Sequence, residues 1–129
     1  MNTKILLTAS ALFMGAMGIA GTFAPHELLR AAGVAPAGML PLLVQLLAAL
    51  LFAFAMVNWL ARGSLIGGIY NRPVAVGNVA HFTIGALALA KATMAGEGNL
   101  VLTIVYVAFA IGFGVVLFRS PVAPARPSA

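Results

Sequence analysis

Few side chains here could do chemistry, and those nearest one another in sequence are Asn58 and Trp59, Tyr70, then Asn78 and His81. Amides, an indole, a phenol and an imidazole are the groups that hydrogen-bond a carbonyl or hydroxyl on an apolar molecule, and a neutral imidazole can both donate and accept. Asn78, His81 and Gly85 stand at i, i+3 and i+7, which is one face of a helix, with Gly77 four residues before His81 on the same stripe. Counting about 1.5 Å per residue from Pro73 puts His81 roughly 12 Å inside its helix, and Asn58 and Trp59 at a similar or shallower depth in the preceding one. With Tyr70 the set reads as one ligand-binding pocket between two helices. The competing reading is structural: Asn58, Asn78 and His81 satisfy one another and pin the two helices together. A second polar group, Gln45, Lys91, Thr103 and Tyr106, is expected toward the other end of the helices, where Lys91 snorkels to the interface on its long stem.

Several chemistries are excluded. His26 and His81 fall roughly 20 Å apart on the same rise per residue, too far for a shared metal or haem. Glu27 and Glu97 are the acids of the chain and both lie between apolar runs, so no span holds the proton-relay or di-iron carboxylates of a pump or oxygenase. There is no cysteine, which removes disulfides, thiolate metal sites and cysteine nucleophiles together. Ser10, Ser64, Ser120 and Ser128 lack an elbow motif, and the pair Gly67 and Gly68 is too short for a phosphate loop. No catalytic residue, metal site or required cofactor is expected, and a quinone or lipid is the ligand class that the polar set suits.

The elements that must hold these residues are membrane helices. The nine charged residues leave charge-free stretches over 5–26, 31–61, 73–90 and 98–118. Crossing a hydrocarbon core of about 30 Å takes about 20 apolar residues, so four spans and their loops nearly use up 129 residues. A chain 63% hydrophobic and 7% charged, with mean hydropathy +1.10, is solvated by lipid. The predicted fold is all-α: a four-transmembrane-helix bundle over 1–120 with spans at 3–23, 40–61, 73–95 and 99–119. A short interfacial helix starting at Pro25 follows the first span, stopped by Gly33, and a disordered cytoplasmic tail fills 121–129. The pattern of Lys4, an apolar run and small residues near Gly18 resembles a signal peptide, but the run continues to Pro25, long enough to span, and is read as retained.

Lys4, Arg62, Arg72, Arg119 and Arg126 fall on one side of such a bundle and Arg30 and Lys91 on the other, which places both termini in the cytoplasm. The high pI is thus a matter of topology, and scattered cations without aromatic interleaving give no reason to expect nucleic acid. Gly15, Gly18 and Gly21, Gly77 and Gly85, and Ala108 and Gly112, with Ala49 and Ala53 on the second span, are expected to let helices pack closely.

The succession Gln45, Asn58 and Trp59, Arg62, Gly67 to Tyr70, Arg72 and Pro73, Asn78, and His81 and Phe82 resembles small DoxX-like four-helix membrane proteins. Tyr70 and Asn71 with His81 and Phe82 are also similar to the four-helix scaffold family of ergosterol biosynthesis, whose members tether enzymes in a membrane. The first resemblance implies a subunit of a quinone-linked complex or a small-ligand binder. Three readings follow: a non-catalytic accessory or assembly subunit in a bacterial inner membrane, meeting the lipid bilayer and a protein partner or its own copies; a binder of a quinone or sterol-like lipid; and, last, a membrane oxidoreductase component with His81 as its lone acid–base group.

Overall fold

The computed structural model describes residues 2–119, so the expected tail and Arg126 lie outside the described residues. The chain is all-α: α1 (Thr3–Phe23), α2 (Pro25–Ala31), α3 (Leu40–Ala61), α4 (Arg72–Met94) and α5 (Leu100–Phe118). No strand occurs among the described residues. All but α2 are long and apolar enough to cross a membrane. Their surfaces agree, since in the most apolar stretch of α3 and of α5 only 17% of residues are buried, and most of the rest is aliphatic and aromatic surface suited to an apolar environment.

Local chemistry sets the boundaries. Ala24 precedes Pro25, whose ring disfavours helical geometry before it, so α1 stops and α2 begins with proline in its first turn. Both α2 and α4 end in the same double hydrogen bond. Gly33 and Val34 donate to Arg30 and Leu29, and Gly96 and Glu97 donate to Thr93 and Ala92, each pair satisfying carbonyls the helix leaves over. The residue after the cap turns left-handed there, at φ 80° for Gly96, which glycine adopts without a Cβ clash. Asn99 caps α5 by accepting from the Leu102 N–H at 3.0 Å. Asn71 heads α4 in a different manner from a side-chain cap. It is left-handed, at φ 45°, and its amide instead donates to the Leu65 carbonyl at 3.0 Å, closing the loop. Within that loop Gly67 and Tyr70 exchange two backbone hydrogen bonds of 3.0 Å, and Ile66 is buried.

Contacts divide the chain into two compact units. In one, spanning Leu7 to Arg62, α1 and α3 run antiparallel and α2 packs on α3. A Cβ on Gly18 would come within 2.9 Å of the Ala48 carbonyl and the Phe52 backbone, and one on Gly21 within 2.7 Å of Ala48 Cβ. The seam on α3 is therefore Ala48, Phe52 and Ala55. The expected Ala49 and Ala53 are exposed, because at 100° per residue the ridge that meets three glycines of α1 passes through neighbouring positions.

The other unit contains α4 and α5, an antiparallel hairpin joined across Ala95 to Asn99, together with residues 2–6. Phe82 is its centre, stacked on Phe109 at 4.7 Å and on Phe113 at 5.7 Å and edge-on to Tyr106 at 5.3 Å. Gly112 makes room for Leu6, whose Cδ1 would stand 3.0 Å from a Cβ there. Ala108 is exposed, contrary to its expected packing role, because the face that α5 turns to α4 carries Thr103, Tyr106, Phe109 and Phe113.

Candidate functional site

The polar side chains inside the spans are few enough to follow individually. On α4, His81 is half-buried, and its Nε2 lies 3.4 Å from the Tyr106 hydroxyl of α5, a long hydrogen bond whose direction depends on the imidazole tautomer. The rings are 5.6 Å apart, and Phe82 packs edge-on against both. Gly85 sits one turn beyond His81, where a Cβ would run into the Tyr106 ring. Tyr106 therefore belongs with His81 rather than with the end group assigned to it. The signal for this was Gly85, which leaves a ring-sized gap on the His81 stripe.

Asn78, three residues before His81, is fully buried, and its amide donates to the Val74 carbonyl at 2.9 Å. Asn58 is fully buried near the end of α3. Its amide donates to the Ser10 hydroxyl at 3.0 Å and approaches the Met14 sulfur at 3.8 Å, both on α1, while Ser10 donates onward to the Leu7 carbonyl at 3.0 Å. The partnership with α1 was not anticipated, because Ser10 reads as one small residue in an apolar run. Trp59 is exposed next to it, with the Arg62 guanidinium 3.7 Å above the indole centroid and hydrogen-bonded to the Trp59 carbonyl. Tyr70 lies exposed in the loop before α4.

Two further ties complete the set. Gln45 donates to the Thr22 carbonyl of α1 at 3.2 Å, and the Thr93 and Thr103 hydroxyls meet at 2.9 Å between α4 and α5. Of the expected site residues, then, Asn58 and Trp59 belong to the α1–α3 unit, and Tyr70, Asn78 and His81 to the α4–α5 unit. Of the expected packing glycines, Gly15 and Gly18 face α3, Gly85 faces Tyr106 and Gly112 faces Leu6, and Gly77 is half-buried on α4.

Among the described residues no buried side-chain nitrogen or oxygen lacks a hydrogen-bond partner, and no three His, Asp or Glu side chains gather where they could hold a metal ion. An open apolar groove of about 270 Å³ runs between α1 and α3, lined by Ala11, Leu12, Gly15, Phe52, Ala55, Met56 and Trp59. These arrangements tie helices together and expose apolar surface, which suits binding within a bilayer. No protein-family model, curated protein or solved structure matches the chain.

Proposed function

We propose that this chain is a non-catalytic integral membrane protein of a bacterial inner membrane, with both termini cytoplasmic, acting as an accessory or assembly subunit of a membrane complex. One observation carries the reading: four of the hydrogen bonds made by polar side chains within the spans join helices. Asn58 with Ser10, Gln45 with the Thr22 carbonyl, His81 with Tyr106 and Thr93 with Thr103 each link two helices of one unit. An intramembrane ionisable group usually marks an ion path or substrate contact, but His81 lies instead among aromatic rings that belong to the hairpin's own packing. What the chain offers outward is aliphatic surface, with Leu60 at 73% and Ile84 at 68% exposure, suited to lipid or to another subunit's helices.

Native mass spectrometry of the tagged chain, extracted from its own membrane in a lipid-preserving polymer, tests the proposal. The expected result is a stoichiometric complex with another protein. A protein recovered without a protein partner but with a bound quinone or sterol-like molecule, lost in His81→Ala, would replace the subunit reading with a ligand carrier.

A further inference from the structure

The α1 and α3 helices approach most tightly at Gly18 and Gly21; nearer the C-terminal end of α3 a Cβ on Gly15 would stand an ordinary 3.6 Å from Ala55, and Asn58 remains bonded to Ser10. The apolar groove runs along the outer side of this looser stretch of the seam. Its floor is small, with Ala11, Gly15 and Ala55, and its walls are Leu12, Phe52 and Met56. Trp59 closes the end nearest the helix terminus, and Arg62 lies over that indole at 3.7 Å.

We infer that this groove seats one acyl chain of an anionic phospholipid, whose phosphate meets the Arg62 guanidinium. Three features select that occupant. From Phe52 to Trp59 the groove covers about 10 Å of helix, a third of the hydrocarbon core, so it lies within one leaflet. A partner helix would need a seam running far along the span. It is open along one side rather than enclosed, which suits a flexible chain that stays partly in the bilayer. Lastly, the cation is at the correct depth. Arg62 directly follows α3, at the level where headgroups lie, and stacking on Trp59 with a hydrogen bond to the Trp59 carbonyl orients the guanidinium while leaving the rest of its donor fork for phosphate oxygens. Glu27, the acid of this unit, belongs to α2 at the other end of α3, so no carboxylate of the unit competes for Arg62. The inference needs residence in a membrane but not the subunit role, so the two can fail separately.

Trp59 is the only tryptophan of the chain, which makes its fluorescence a reporter of the groove. The full-length protein is placed in phosphatidylcholine nanodiscs containing increasing amounts of phosphatidylglycerol or phosphatidylcholine brominated on the acyl chains, and quenching of Trp59 is followed. Brominated phosphatidylglycerol is expected to reach half-quenching at a several-fold lower mole fraction than brominated phosphatidylcholine. Arg62→Gln should remove that preference, a change of about fivefold for one basic residue near a bilayer surface. Gly15→Leu, which fills the floor, should reduce quenching by both lipids. If Gly15→Leu does not fold, the Arg62→Gln comparison decides alone. Equal quenching by the two lipids in the unaltered protein, or a preference that survives Arg62→Gln, overturns the inference. Protection of Trp59 from both would mean that no acyl chain lies in the groove beside it and would overturn the inference as well.

Discussion

Asn58 passes a hydrogen bond to Ser10, and Ser10 passes one to the Leu7 carbonyl, so a polar group in the middle of an apolar unit ends on the backbone of α1. In hydrocarbon the alternative to such a partner is an unsatisfied amide, yet the measured coupling of interhelical hydrogen bonds in membranes averages only about 0.6 kcal/mol and reaches about 1.7. A double-mutant cycle of Asn58→Leu and Ser10→Ala, followed by loss of helicity in denaturing mixed micelles, should therefore give a coupling of about 0.6 to 1.7 kcal/mol. Coupling near zero would mean that the bond does not hold α1 to α3. Asn58 was recognisable from sequence as a residue needing a partner, because an amide inside a span always does. Its partner was not, since Ser10 shows no periodic signal and the choice of neighbouring helix is a tertiary fact. Tyr106 was misplaced for a related reason: grouping by sequence spacing on one helix cannot see that Gly85 opens space on another.

At the scale of helices, the glycines of α1 are unequal although they recur at a regular spacing. Gly18 admits no Cβ without displacing the backbone of α3, whereas Gly15 would make only ordinary contact with Ala55. Gly18→Val should separate α1 from α3 and destabilise the unit by about 1 to 3 kcal/mol, the usual cost of overpacking, while Gly15→Ala should leave it within about 0.5 kcal/mol. The same micelle unfolding measurement distinguishes them, and equal effects would contradict the seam. Helix positions were the most legible part of the fold, because length, apolar runs, Pro25, Pro73 and the Asn99 cap are all local signals. The seam was less so. Ala48 and Ala55 are used and Ala49 and Ala53 are not, a rotation of the helix that its nearly uniform apolar surface does not encode.

For the whole molecule, four helices long and apolar enough to cross a bilayer and a skewed set of basic loops make a single claim: the chain crosses the membrane four times. Everything proposed about subunits and lipids depends on it. The chain contains no cysteine, so single cysteines report position against a silent background. The deciding measurement is labelling of Asn2→Cys, Ala35→Cys, Ser64→Cys and Glu97→Cys by a membrane-impermeant maleimide, in intact cells and in inverted vesicles. Ala35→Cys and Glu97→Cys should label from outside the cell, and Asn2→Cys and Ser64→Cys only from the cytoplasmic face. Labelling of Ser64→Cys and Glu97→Cys from the same side would mean that α4 does not cross, and would contradict the account.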